Sequence, residues 1–203
     1  MNTGRSEAFS DGVFAIAATL LVLNLHVSAS APHLGHALLE LWPSMVAYLT
    51  SFLLIGLIWA NHHSMFVHFA RVDRTLQFLN VLLLADVAFL PFPTDVLAQA
   101  IHSGHGLSTA AFFYGLTLTV GGIFFNALWL YATKRQKLLN SKVSRPFVKR
   151  TSWRFLLGPL SYGIATCVAL FAPVVAIVGF MFLIVYYWLP PKDEEALFEK
   201  MAH

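Results

Sequence analysis

The sequence predicts an all-α integral membrane protein in which one domain of 203 residues contains six transmembrane helices. Three observations support this prediction. Hydrophobic residues make up 58% of the chain and charged residues only 11%, whereas about 25% of an average soluble domain is charged. The apolar residues form long stretches, and the lysines and arginines are confined to the segments that flank those stretches.

Each predicted span is close to the length that crosses a hydrocarbon core, which is about 20 apolar residues. The second, third and fourth spans exceed this minimum, which indicates that they tilt or extend into the headgroups. Prolines near the span ends are tolerated because neighbouring helices satisfy the backbone groups that they free. No duplication divides the chain, so residues 1–203 are predicted to form one domain. The spans are 6–27, 43–69, 74–98, 107–133, 153–172 and 174–190.

The positions of the basic residues predict the orientation in the membrane. All 13 lysines and arginines lie in, or within two residues of, the N-terminal flank, the loop after the second span, the loop after the fourth span or the C-terminal tail. The other connections contain none. Because basic loops remain in the cytoplasm, both termini are predicted to be cytoplasmic. The basic loop after the fourth span is interpreted as a topology determinant that meets anionic lipid, so no nucleic-acid partner is expected.

The first span presents an apolar stripe when it is projected on a helix at about 100° per residue. Asp11 points away from this stripe, and small alanines flank it, which favours close packing against other helices. A stripe of this kind on a membrane helix is commonly a lipid-facing or packing surface. The stripe residues are Gly12, Ile16, Thr19, Leu20, Leu23 and Val27.

Polar residues gather at a similar depth near the cytoplasmic ends of the first three spans. An ionised side chain inside a bilayer is costly unless it is paired or hydrated. These residues are therefore predicted to form a cluster that clamps the first helix to its neighbours. Arg5 can pair with Asp11 only through a bend or another segment, because six residues is not a helical contact spacing. The predicted cluster comprises Arg5, Phe9, Ser10, Asp11, Trp59, Asn61, His62 and Asn80.

The stretch RSEAFSDGVFAIAATLLVL, which starts at Arg5, resembles the R-x-x-x-F-S-D motif and first helix of the transmembrane protein 175 family, the lysosomal and prokaryotic potassium channels. The runs WANH at 59–62 and LPFPT at 90–94 resemble the second and third helices of that family. The resemblance implies a potassium-preferring cation channel without a TVGYG filter, and that sequence is absent here. Because the chain carries one six-helix repeat, the resemblance also implies a homotetramer, expected in the plasma or inner membrane.

The resemblance assigns the pore lining to the first helix and its constriction, by position, to Ile16, Leu20 and Leu23, with Thr19 beside them. Apolar side chains offer no oxygen atoms to replace the water of an ion, and a bare ion in an apolar medium costs on the order of tens of kcal/mol. The constriction is therefore expected to be shut when dewetted and to pass partly hydrated ions when wide. The expected partners are potassium, other monovalent cations and membrane lipid, without a cofactor.

The main alternative is a proton- or cation-coupled secondary transporter that uses Asp11, Asp86 and Asp95. A transporter predicts discontinuous helices, inverted repeats and a polar site at the midplane. The sequence shows no clear repeat, and the first helix is predicted to be uninterrupted. An enzyme is not predicted, because no nucleophile and base form a defensible pair. His62 and His63 point about 100° apart on a helix and cannot share one ion, so no metal or haem site is predicted.

Overall fold

A computed structural model describes residues 3–27, 33–141 and 143–189, and its named elements are all helical. The all-α prediction is thus confirmed. Lys142, Lys192 and Lys200, which contributed to the predicted orientation, lie outside the described residues, as does residue 190 at the end of the sixth predicted span. The α-helices are α1 (Thr3–Leu20), α2 (Leu34–Glu40), α3 (Trp42–Val67), α4 (Arg74–Phe89), α5 (Pro91–Ser103), α6 (Leu107–Lys134), α7 (Arg145–Ala169) and α8 (Pro173–Trp188).

Four helical segments of the described chain are long and apolar enough to cross a membrane: Thr3–Asn24, Trp42–Val67, Arg74–Ser103 and Leu107–Lys134. They correspond to the first four predicted spans. Helix α8 is apolar but shorter, at 16 residues. Helix α7 begins at Arg145, eight residues before the predicted start of the fifth span at residue 153. Ser144 caps that start by accepting a hydrogen bond from the Phe147 N–H at 3.4 Å.

The first span ends differently from its prediction. The α-helix stops at Leu20 and tightens into a 3₁₀ turn at Leu21–Asn24. The Asn24 Nδ2 then donates to the carbonyl oxygen of Pro91 at 2.9 Å. The prediction of an uninterrupted α-helix through residue 27 is therefore wrong in its last turns. Because a 3₁₀ helix has three residues per turn, Leu23 is rotated from the position that an α-helical projection gives it.

Pro91 divides the third span into α4 and α5, since proline has no N–H to continue the helical hydrogen bonding. The hydroxyl of Thr94 donates to the carbonyl oxygen of Leu90 at 2.8 Å on the other side of the break. The same hydroxyl lies 2.8 Å from the Ser51 hydroxyl, which lies 2.9 Å from that of Tyr114. Buried hydroxyls thus join α5 to α3 and α6 where the backbone is interrupted.

The loop after α3 and the loop after α6 are paired by backbone hydrogen bonds. The Ala70 N–H donates to Leu138 O at 2.8 Å, and the Asn140 N–H donates to His68 O at 2.9 Å. Both basic loops therefore lie at the same end of the helix bundle. This arrangement agrees with the common cytoplasmic side that their charges predict.

Asp73 strengthens the same end by connecting α4 to α6. One carboxylate oxygen accepts from the Leu76 N–H at 2.8 Å, and the other accepts from the Tyr131 hydroxyl at 2.8 Å. Partial burial acts to raise the pKa of Asp73, but these hydrogen bonds and the charge of Arg135 hold that pKa below its usual range. The carboxylate therefore remains ionised at neutral pH, the state that caps a helix N-terminus best.

Small residues allow α6, α7 and α8 to approach closely. A Cβ at Gly115 would overlap the ring of Phe180 on α8 and the hydroxyl of Thr166 on α7. A Cβ at Gly122 would lie 3.0 Å from the ring of Pro159 on α7. These contacts are too short for larger side chains. The glycines thus fix the distance between helices in the second half of the bundle.

Candidate functional site on the first helix

Three polar side chains, called the buried chain below, are linked by hydrogen bonds and hold α1 against α4 and α3. Ser10, Asn80 and His62 each have no exposed surface in the described chain. The Asn80 Nδ2 donates to the Ser10 Oγ at 2.9 Å, and the Asn80 Oδ1 lies 2.8 Å from the His62 Nε2. The Ser10 hydroxyl in turn donates to the Ser6 carbonyl oxygen at 2.8 Å. Because an amide oxygen only accepts, the His62 Nε2 must carry the hydrogen.

Aromatic rings enclose this chain. The Phe66 ring stacks on His62 with centroids 4.4 Å apart, and the Phe14 ring meets it edge-on at 5.3 Å. Hydrogen bonds in such an apolar environment are stronger than in water, and an unpaired group there is correspondingly costly. The buried chain therefore fixes both the depth of α1 and the rotation of this helix about its own axis.

Asp11 is placed outside this buried chain. Its carboxylate is exposed and accepts a hydrogen bond from the Trp59 Nε1 at 2.9 Å. Next to it, Glu7 and His63 approach to 2.7 Å. In the described residues, no ion pair joins Arg5 to Asp11. An Arg5–Asp11 pair, which the sequence allows only through a bend or another segment, is therefore not formed, because six residues along a straight helix keep the two side chains apart.

The remaining predicted cluster members also lie apart from the buried chain. Phe9 is 56% exposed, and Arg5 is exposed as well. The Asn61 Nδ2 donates to the Leu57 carbonyl oxygen of its own helix at 2.8 Å. Sequence reasoning missed Gln77, whose Oε1 accepts from the Ser6 hydroxyl at 2.5 Å. Its spacing of three residues before Asn80 is the signal that places both on one face of α4.

The apolar stripe of the first span, formed by α1 and the 3₁₀ turn after it, is exposed within the single chain. Ile16 is 61%, Leu20 40% and Leu23 59% exposed. Gly12 and Thr19 are exposed too. The opposite face, with Phe14, Ala17 and Leu21, is buried against the other helices. The stripe is thus free for lipid, for another copy of the chain or for a pore.

Thr19 is the polar member of this stripe. Its hydroxyl donates to the carbonyl oxygen of Ile16 at 2.9 Å. This bond uses the only hydrogen of the hydroxyl, so its oxygen keeps acceptor capacity toward the exposed side. The stripe therefore offers an oxygen atom among apolar side chains, and no lysine or arginine lies between Gly12 and Val27.

The three aspartates of the transporter alternative have different surroundings. Asp11 bonds to Trp59, Asp95 accepts from the Gln99 Nε2 at 2.6 Å, and Asp86 lines a cleft between helices. In the part of the chain that the structure describes, no three His, Cys, Asp or Glu side chains are grouped to hold a metal ion.

The four helical segments that are long and apolar enough to cross a membrane, and the buried side chains of Ser10, Asn80 and His62 that bond to one another between them, are typical of α-helical integral membrane proteins. The family model described as endosomal/lysosomal potassium channel TMEM175 matches residues 5–91. A Streptomyces collinus protein named as a potassium channel is 43% identical over 187 residues, which cover 91% of each chain. The chain belongs to the TMEM175 family, so the resemblance read from the sequence is confirmed.

Two further comparisons extend over most of the chain. A Chamaesiphon minutus protein named as a potassium channel is 40% identical over 92% of this chain and 93% of its own. The crystal structure of a lysosomal potassium-selective channel TMEM175 homologue from the same organism superposes with a TM-score of 0.80 at 38% identity, over 91% of this chain and 95% of that chain. The fold is therefore the TMEM175 channel fold.

Proposed function

We propose that this protein is a potassium-preferring cation channel whose pore is formed by the first helices of four identical chains. The observation that supports this function most strongly is the family membership, with relatives named as potassium channels that match nine-tenths of the chain. The transporter alternative is not favoured by these relatives. We further propose that six helices, the last two being α7 and α8, cross the plasma or inner membrane with both termini in the cytoplasm.

The exposed stripe of α1 supports the location of the constriction. Ile16 and Leu20 are four residues apart, so their side chains stack about one turn, near 5.4 Å, along the helix. Around a four-fold axis they form two successive apolar rings, with the Thr19 hydroxyl oxygen beside them. Water leaves such rings when they are narrow, which blocks ions, and a wider ring passes partly hydrated ions. Potassium sheds water more readily than sodium and is therefore preferred.

The buried chain Ser10–Asn80–His62 has a mechanical role in this proposal. It lies on the side of α1 opposite to the stripe, and it fixes the rotation that presents Ile16 and Leu20 to the axis. Because the rings of Phe14 and Phe66 enclose the buried chain, it lies outside the proposed ion path. Support and permeation are thus carried by different faces of one helix.

The orientation predicts which loops are accessible from outside the cell. Cysteines at His36 and at His102, in a Cys167→Ala background, should react with an impermeant thiol reagent added to intact cells. A cysteine at Ser141 should react only after the membrane is permeabilised. All three positions are exposed in the structure, so burial does not explain a difference. Labelling of Ser141 in intact cells would refute the orientation.

The pore predicts the oligomeric state. A chain with one pore-lining helix cannot enclose a path alone, so four copies around a shared axis are required. Native mass measurement in mild detergent should find four times the chain mass of 22.6 kDa. A monomer that conducts ions in liposomes would contradict the shared pore.

A further inference from the structure

A cleft of about 110 Å³ lies between helices of the single chain, away from the stripe. Its walls come from α3, α4, α6, α7 and α8, and α1 contributes none of them. Most of the walls are apolar, for example Leu57, Leu118 and Phe155. Only about 10–15 Å³ is needed to hold one water molecule. The cleft therefore has room for several waters.

Three polar atoms of the cleft residues are buried without a hydrogen-bond partner among the described residues: Asp86 Oδ2, Asn126 Oδ1 and the Tyr162 hydroxyl. Asn126 is only 5% and Tyr162 only 7% exposed. Buried polar groups almost always have a partner, which is often an ordered water. Three such atoms around one cleft indicate that a polar species occupies it.

The geometry of Asn126 identifies what this species must offer. The Asn126 Nδ2 donates to the carbonyl oxygens of Phe155, at 2.5 Å, and Gly122, at 3.1 Å. These bonds fix the amide orientation, so the free atom is the acceptor Oδ1. The occupant therefore donates a hydrogen bond to Asn126, and water or a protonated species meets this requirement.

Asp86 packs against Gly121 of α6, a position without a side chain. A Cβ at Gly121 would overlap the Asp86 carboxyl group, so glycine allows that group to lie directly against the α6 backbone. The other titratable side chains that line the cleft are Arg154 and Tyr162 of α7 and Tyr187 of α8. In the described residues, no ion pair joins Asp86 to Arg154. The carboxyl group is thus left for water or a proton.

We propose that this cleft is a hydrated proton-binding site within each protomer, separate from the potassium path, with Asp86 as the acid. Water molecules connect Asp86 to Asn126, Tyr162 and Arg154. Arg154 of the cleft lies one helical turn from Arg150 in the basic start of α7. This start is at the proposed cytoplasmic end of the bundle, so the proton enters from that end. When the carboxylate binds a proton, its O–H donates to this water, and the negative charge inside the bundle is removed.

Infrared spectroscopy of the unmodified chain tests the site without measuring any current. A pH titration should show a carboxyl C=O band that appears on acidification and shifts in D₂O, because water reaches the group. The band should be absent in Asp86→Asn, remain in the matched control Asp95→Asn and shift in Tyr162→Phe. Spectra that are the same in Asp86→Asn and the unmodified chain would overturn the proposal. Loss of the band on adding potassium at constant pH would also overturn it, since an alkali cation would then be the ligand.

Thiol accessibility tests the water directly. In a Cys167→Ala background, Asn126→Cys and Tyr162→Cys should react with a small polar thiol reagent applied from the cytoplasmic side of sealed vesicles. Leu83→Cys, which is buried on α4 and does not line the cleft, should react at least tenfold more slowly. Equal protection of all three cysteines would show a dry cleft and overturn the proposal. Failure of potassium conduction would leave both measurements unaffected, so the two proposals are judged separately.

Discussion

Replacement of Leu20 by asparagine is expected to increase the resting current by about tenfold or more and to reduce the preference for potassium over sodium. An amide side chain keeps water in the ring that Leu20 forms around the axis, so the dewetted barrier falls. A barrier lowered by about 1.4 kcal/mol raises a rate about tenfold. The same direction is expected for Ile16→Asn, one turn away. Current and reversal potential in planar bilayers measure both effects.

Two control variants on the same helix separate pore lining from general disturbance. Val22 is 49% exposed, comparable to Leu20 at 40%, but lies outside the stripe. Val22→Asn should therefore leave selectivity nearly unchanged. Leu21 is fully buried, so the unpaired amide of Leu21→Asn should lower the free energy of unfolding by about 1–3 kcal/mol. If Leu20→Asn and Val22→Asn behave alike in tetramers of equal yield, the stripe is only a packing face.

Replacement of Asn80 by alanine is expected to destabilise the chain more than any other change in the polar cluster. It leaves the His62 Nε2–H without its acceptor in an apolar enclosure, and it removes the hydrogen bond that the Ser10 Oγ accepts, while the Ser10 hydroxyl keeps its bond to the Ser6 carbonyl oxygen. Each buried group left unpaired costs about 1–3 kcal/mol. The thermal unfolding temperature and the tetramer yield in detergent should both fall strongly, whereas the ion selectivity of the surviving channels should be retained.

Asn61→Ala is the matched control for this variant. Asn61 is the same residue type, but it is only partly buried and bonds to its own helix. Its replacement should therefore have a small effect on stability. Asp11→Asn should also cost less than the removal of one partner from a buried charged pair, because the Asp11 carboxylate is exposed and its partner is the neutral indole of Trp59. Equal losses in Asn80→Ala and Asn61→Ala would contradict the clamp.

The sequence predicts the helical architecture well because apolar length and basic loops are local properties. The first four spans agree with the structure within a few residues, except where backbone chemistry intervenes. Leu21–Asn24 tighten into a 3₁₀ turn whose Asn24 bonds to Pro91, a residue far along the chain. The start of α7 is also missed, since a basic amphipathic turn carries no hydropathy signal while Ser144 and Arg145 still begin a helix.

The polar cluster is predicted only in part, because depth in the membrane does not determine which side chains meet. Ser10, His62 and Asn80 share a depth and also face one another. Asn61 shares that depth, but its amide bonds to the Leu57 carbonyl oxygen of α3 and its side chain lines the cleft that contains Asp86. A rotation of about 100° between adjacent residues of a helix separates the two outcomes. Only the packing of α1, α3 and α4 fixes which rotation occurs.

Ion flux through purified tetramers in liposomes tests the central proposal most directly. With a potassium gradient across the membrane and sodium as the competing ion, the protein should carry a passive current that follows the gradient and reverses closer to the potassium than to the sodium equilibrium potential. The current should persist when the proton gradient is removed. A saturating flux that stops without a second coupled ion, or a current that does not distinguish potassium from sodium, would contradict a potassium-preferring channel.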